Sequence, residues 1–194
     1  MRNQGSGVRG QGSEGIKISS PDLRPPTPII ILGIDPGLQR TGWGVIAQNG
    51  NALSLVACGV LKSDAEDGLA YRIKLLGDGL HDVIARYKPQ ESAIEETFVS
   101  VNGQSTLKLG QARGALLLTL AQANLPIAEY AATKVKKSIV GAGRAEKNQV
   151  AQMVQILLPG CGKFGADAMD ALAVAICHAH HRGLRDLGAE GLRA

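Results

Sequence analysis

Ile29-Ile-Ile-Leu-Gly-Ile-Asp35 runs straight into Pro36-Gly-Leu-Gln-Arg-Thr41-Gly-Trp-Gly-Val-Ile46. A near-continuous apolar run ends in one acid, a tight turn follows, and a second apolar run begins almost at once. An apolar run of this length bounded by turn residues predicts a central strand buried on both faces. Pro36 fixes φ and Gly37 tolerates φ > 0, so the pair reverses the chain. A carboxylate closing a buried strand is unfavourable unless a cation neutralises it. That cation is a partner side chain or a metal ion, and the rest of the chain has to say which.

Working outward, strands are expected at 29–35, 42–48 and 53–62, the first three forming an antiparallel meander. A helix is expected over 67–87, where Ile73, Leu76, Leu80 and Val83 recur at helical spacing and Pro89 stops the run. Ser92-Ala-Ile-Glu95 reads as a short strand and 126–130 as a fifth. The stretch 104–123 reads as a helix with Leu109, Ala112, Leu116, Leu120 and Ala123 on one face. Short helices follow at 133–140 and 146–157, and a last one at 166–181. Three antiparallel strands followed by alternating helices and strands describe an α/β fold, a five-stranded mixed sheet flanked by helices.

The 194 residues suit one domain with tails. Residues 1–28, rich in Gly, Ser, Arg and Pro, carry too little apolar surface to offset ordering entropy and are expected to form a disordered N-terminal tail. The domain proper is 29–181, and 182–194 is expected as a C-terminal tail. A net charge of +4 is too mild to argue for nucleic acid alone. Cys58, Cys161 and Cys177 offer neither a disulfide framework nor zinc-knuckle spacing, which suits a reducing cytoplasm. No segment reads as a transmembrane helix or a signal peptide.

Four acids fall where a core should be. Asp35 ends the first strand and Glu95 the fourth. Asp167 and Asp170 open the last helix, Ala166-Asp-Ala-Met-Asp-Ala-Leu-Ala-Val-Ala175, apolar on almost every side and so expected to be buried. Their i, i+3 spacing puts both on one helical face, in a first turn that favours acids. Singly, Asp167 reads as a helix cap and Asp35 as a turn former. Together in apolar surroundings they imply divalent cations, and hard oxygen ligands select Mg²⁺ or Mn²⁺. Two ions roughly 3.5–4 Å apart would stabilise both the attacking and the leaving oxygen of a phosphodiester displacement.

Lys134, Lys136, Lys137, Arg144 and Lys147 crowd one stretch beside Gly141-Ala-Gly143. A solvated helical face accounts for such a run. A helix N-terminus offering backbone N–H groups to phosphate is the alternative. Phe98, one of two phenylalanines, lies three residues beyond Glu95. It is either a loop ring folded onto the core or a wedge that stacks on a base. Trp43 is expected to pack in the sheet. His178, His180 and His181 have no acid or cysteine at ligand spacing and do not read as a zinc tract.

These stretches, taken in order, resemble the RuvC family of Holliday junction resolvases within the ribonuclease H-like superfamily. The matching segments are Ile31–Gly37 with Thr41-Gly-Trp-Gly44, Ala93-Ile-Glu-Glu-Thr-Phe98, Leu107-Lys-Leu-Gly-Gln-Ala-Arg-Gly114, Val140–Lys147 and Ala166–Ala173. They span 29–181. The long N-terminal tail departs from the family pattern. The resemblance implies a ribonuclease H-like sheet and an endonuclease that resolves four-way junctions in recombination and DNA repair. It implies paired, symmetric cuts by two-metal hydrolysis, leaving 5′-phosphate and 3′-hydroxyl ends. It makes Asp35, Glu95, Asp167 and Asp170 the catalytic and metal-binding acids, with two Mg²⁺ per subunit and Mn²⁺ as a substitute. It also implies DNA contact by Lys136, Lys147 and Phe98, to which the basic cluster adds Arg144. Its partners would be a second copy of the chain and the RuvA and RuvB branch-migration complex. Helix 104–123 is the expected dimer interface, with Leu117 and Leu118 widening its apolar stripe. An ATP-binding sugar kinase or actin-like protein shares the Gly-Ile-Asp-x-Gly hairpin but needs a second, similar domain. A non-enzymatic junction binder would not need four acids.

Overall fold

The structure, a computed structural model, describes residues 27–97, 103–143, 146–162 and 164–189, with side chains described as far as residue 182. Nearly all of the expected N-terminal tail, together with Phe98 and Arg144, lies outside these residues.

Strands β1 (Ile29–Asp35), β2 (Arg40–Asn49) and β3 (Ala52–Lys62) form the meander, and helix α1 (Leu69–Tyr87) leads to β4 (Glu91–Glu95). Helix α2 (Gly103–Gln122), β5 (Ile127–Tyr130), α3 (Ala132–Val140), α4 (Lys147–Leu157) and α5 (Ala166–Ala189) complete the order. The sheet runs β3-β2-β1-β4-β5. β1 pairs antiparallel with β2 and β2 with β3, while β1–β4 and β4–β5 are parallel. This is the mixed, helix-flanked, ribonuclease H-like sheet expected from the sequence. β1 lies at its centre, as its unbroken apolar run requires.

Strand alternation divides the core in two. Leu32 and Ile34 of β1, with Val45 and Ile94, pack under α1 and α2 against Leu76, Leu80, Ala112, Leu116 and Leu120. Ile31 of β1, with Ile46 and Ala93, packs on the other face under α3, α4 and α5. Every residue of α5 from Met169 to Ala179 except the half-buried Asp170 is buried, because the helix lies between the sheet and α3/α4. Trp43 packs in the sheet as expected, against Gly59, with its ring 5.7 Å from that of Tyr87.

Two expectations change. α5 continues to Ala189, past the expected end at 181, so the tail expected from 182 begins inside a helix. No proline interrupts the run, and Arg182 is tied to Glu91 at the start of β4. In α2 it is Leu118 that is exposed, whereas Leu117 packs partly against the core. Adjacent leucines lie about 100° apart around a helix, so only one of them can face outward with Leu107, which is also exposed.

Candidate active site

Odd-numbered residues of β1 and β4 face α5, so Asp35 and Glu95 emerge on that face at the carboxyl ends of two adjacent parallel strands. Binding at the carboxyl ends of parallel strands is the general habit of such sheets. The other two acids arrive on α5, and glycines decide how close it comes. A Cβ on Gly42 would sit 1.9 Å from the carbonyl oxygen of Asp167, and one on Gly33 would sit 2.3 Å from that of Ala171. Only bare backbone at these two positions lets the first turns of α5 lie on β1 and β2, which sets Asp167 and Asp170 beside Asp35.

Asp35, Glu95 and Asp170 line one cavity of about 220 Å³, with Lys136 and Lys147 on its rim and Ala132, Val135, Val150 and Ala173 in its walls. Burial, and then the charges of Glu95, Asp170 and Asp167, push the Asp35 carboxyl up to about 7, against the pull of Lys147. Burial and the charge of Asp170 push Glu95 up to about 7 as well, opposed by Lys136 and Lys147. Asp167 accepts from Arg40 Nε at 2.5 Å, and Asp170 lies 3.4 Å from Lys147 Nζ. With Asp167 turned onto Arg40 and Asp170 onto Lys147, no three His, Cys, Asp or Glu groups among the described residues stand together as an ion-holding cluster. The acids are neighbours that repel one another, two of them held back by a cation each.

The four acids, Lys136 and Lys147 therefore meet at one end of the sheet. The glycine turn does something else than expected. Gly141 (φ 79°) caps the C-terminus of α3, and its N–H donates to the carbonyl of Lys137. At the start of α4, Glu146 and Gln149 form a capping box, with Gln149 Oε1 accepting from the Glu146 N–H at 3.0 Å. An acid of the chain answers that helix end, so the Gly141–Gly143 turn offers no bare helix N-terminus to a phosphate.

Sequence reasoning missed two residues beside the site and one at the far end of β4. Arg40 begins β2 and reaches Asp167, 127 positions away. Arg113 of α2 donates from Nε to the Glu95 carbonyl at 3.1 Å and pairs with Glu129, pinning the end of β4. Glu91, at the other end of β4, accepts from Arg182 and lies 2.7 Å from His178 Nε2, while His178 Nδ1 meets the Tyr130 hydroxyl at 3.0 Å. His178 thus has the acid partner that its sequence neighbourhood lacks. His180 faces Ser138, and His181 Nδ1 meets the Cys177 carbonyl. The Leu107–Gly114 segment carried a signal for Arg113, but nothing local pointed to Glu91.

Residues 31–178 match the family model of the crossover junction endodeoxyribonuclease RuvC. The chain belongs to the RuvC family. The RuvC of Paramagnetospirillum magneticum is 61% identical over 153 residues, covering 79% of this chain and 92% of that one. The RuvC of Ruegeria pomeroyi is 56% identical over 164 residues, covering 84% and 99%. Among solved structures, Thermus thermophilus RuvC in complex with a Holliday junction substrate superposes with a TM-score of 0.76 at 30% identity, covering 81% of this chain and 96% of that one. The matched span contains every residue that lines the acid cavity.

Proposed function

We propose that the chain is a structure-selective endonuclease that resolves four-way DNA junctions in recombination and repair by two symmetric hydrolytic cuts. The observation that carries this is the convergence of Asp35, Glu95, Asp167 and Asp170 at one end of the sheet in a chain of the RuvC family.

The donor set fits divalent cations. It consists of carboxylate oxygens only, part-buried, and two of its members are pushed to about 7 by burial and then by the charges of neighbouring acids, a state that added positive charge would relieve. We assign the four acids as ligands of two Mg²⁺ ions, with Mn²⁺ as a substitute. When bound, the ions would supply charge stabilisation to the entering and leaving oxygens of the displacement and acidify the attacking water. The chain's own part is to hold the acids on rigid elements, β1, β4 and the seated start of α5. Arg113 fixes the backbone at Glu95. Lys136 and Lys147, which line the cavity, would hold a backbone phosphate over the acids. Phe98 and Arg144 are proposed as further DNA contacts. The products would carry 5′-phosphate and 3′-hydroxyl ends.

A four-way junction has two-fold symmetry, so paired cuts call for an isologous homodimer. Exposed Leu107 and Leu118 on α2, with Gly110 and Gly114 open between them, form a face on which two helices can approach closely. Leu118→Glu should yield monomers by light scattering, and a dimer of unchanged mass would move the interface elsewhere. RuvA and RuvB are proposed as partners through the family. The three free thiols suit the reducing cytoplasm as the compartment.

Incubating the protein with a mobile synthetic junction and Mg²⁺, and mapping nicks strand by strand, tests the activity. Symmetric nicks in two opposing strands are expected. Intact junctions, or equal cutting of plain duplex, would sink the reading.

A further inference from the structure

On the opposite face of the sheet from Lys136 and Lys147, a groove of about 470 Å³ opens between the β1–β2 turn and the first turns of α1 and α2. Its lining includes Arg40, Arg72, Lys108 and Ser105, and none of the lining residues is acidic. Arg72 is only 8% exposed. Its Nε donates to Ser63 Oγ at 3.1 Å, and that hydroxyl in turn donates to the Leu38 carbonyl at 2.5 Å. Among the described residues no carboxylate lies within ion-pair distance of Arg72 or of Lys108. A cation buried to this degree without a counter-charge is strongly unfavourable. Neither α1 nor α2 carries an acid in its first turn, so the positive ends of two helix dipoles add to the same potential. The groove is built for an anion that the described residues do not supply.

We propose that this groove is a second phosphate site and that its occupant is a backbone phosphate of the junction, an inference that rests on the endonuclease reading above. A guanidinium fork matches phosphate oxygens, and a buried arginine held by a hydroxyl is preorganised for them. Arg40 ties the groove to the acids. It lines the groove and also holds Asp167. A strand laid over the acids from Lys136 and Lys147 crosses the carboxyl edge of the sheet and meets Arg40, Lys108 and Arg72 on the far side. The cut phosphate would thus be flanked by one basic hold on each face.

The test measures anisotropy of a fixed four-way junction in EDTA across a chloride series, for wild type, Lys108→Ala, Lys108→Glu and Arg72→Gln. Each phosphate contact contributes about 0.9 to the slope of log affinity against log salt. Lys108→Ala should lower the slope by about one and weaken binding several-fold, and Lys108→Glu should do more. Lys108 is exposed, so these variants fold even if Arg72→Gln does not. Lys74→Ala, on the same helix as Arg72 but paired with Asp78 outside the groove, should leave the slope unchanged. A wild-type slope in both Lys108 variants, or an equal loss in Lys74→Ala, overturns the DNA occupant. Melting in phosphate against chloride at equal ionic strength separates the two sources of phosphate. Phosphate protection lost in Lys108→Ala, with the junction slope intact, would give the groove to free phosphate and overturn the DNA occupant. A wild type that binds no junction overturns this proposal and the endonuclease reading together. Normal wild-type binding with an unaltered variant slope overturns this one alone.

Discussion

Glu91 and Glu95 begin and end the same strand, β4, and both side chains face α5. Glu91 accepts from Arg182 at 2.5 and 3.0 Å and meets His178 at 2.7 Å. The Arg182 bond, ahead of the opposing effect of burial, holds its carboxyl below the ordinary range. Glu95 has two lysines that pull it down, but burial and the Asp170 charge outweigh them and push it to about 7. One end of the strand is a closed salt-bridge network and the other is a site kept short of cations. An acid matched by its own chain serves the fold, and an acid that the chain leaves short of positive charge is available to something brought from outside.

The sharpest way to break this contrast is to neutralise each acid in turn. Glu95→Gln, like Asp35→Asn, should lower junction cleavage by about 10³-fold or more, with junction affinity in EDTA near wild type, because binding is carried by cations. Asp167→Asn and Asp170→Asn should do the same. Glu91→Gln should still cut below its melting temperature. Single-turnover cleavage at saturating enzyme decides it. If Glu91→Gln loses cleavage while folded and Glu95→Gln keeps it, the roles of the two ends are reversed.

Stability should change in the opposite sense. Removing one member of a buried ionic network costs about 3–5 kcal/mol. Glu91 and Arg182 are each about one-fifth exposed, which trims the expectation for Glu91→Gln to about 2–3 kcal/mol. Asp35→Asn should stabilise the metal-free protein at pH 8 by about 1–3 kcal/mol, since every tenfold gain in the proton affinity of a folded carboxyl corresponds to about 1.4 kcal/mol. Urea titrations of both variants in EDTA provide the check, and a destabilised Asp35→Asn would mean that its carboxylate is structurally matched after all.

The pH profile follows from the same signs. A carboxyl raised in the folded state keeps its proton there while the unfolded chain has lost it. The contribution of Asp35 and Glu95 therefore falls as pH rises from about 4 to about 7 and is flat above. Glu91, held low, contributes stability above its ordinary value of 4.5 and loses it as pH falls through its folded value. Asp35→Asn should flatten the upper limb and Glu91→Gln the lower one. Added Mg²⁺ should raise the melting temperature more at pH 8 than at pH 5, because protons compete for the same oxygens. Equal Mg²⁺ protection at both pH values would place the ion away from these acids.

The sequence made one end of β4 far more legible than the other. Asp35, Glu95, Asp167 and Asp170 stand out locally, because each interrupts an apolar run whose period fixes its face. The order of strands and helices along the chain followed from the same periodicity. The partners of Glu91 lie 87 and 91 positions away, and pairing across such a span leaves no periodic trace. The same holds for Arg40 with Asp167, and for Arg72, whose burial depends on where α1 and α2 meet. Leu117 and Leu118 could not be separated by pattern, since rotation of α2 by a fraction of a turn exchanges them. Nothing local singled out Gly33 and Gly42, and their role as the seat of α5 appears only when the helix is laid on them.

The smallest effect expected is also the most discriminating for how the acids are held. Among the described residues Lys147 is the only lysine that draws down both Asp35 and Glu95, whereas Lys136 acts on Glu95. Lys147 is 78% exposed beside Asp170, so Lys147→Ala should change stability by no more than about 0.5 kcal/mol. It should nonetheless move two titrations upward, those of Asp35 and Glu95, while Lys136→Ala moves only that of Glu95. Neither should touch Glu91, at the far end of the strand and matched by Arg182 and His178. Carboxyl-carbon NMR titrations of the metal-free protein can follow all three acids in one experiment. If Lys147→Ala moves Glu91 as much as Glu95, the field is global and the two ends of β4 are not separate environments. If Asp35 stays still, Lys147 does not reach over the cavity, and the DNA contact proposed for it would have to be sought away from the acids.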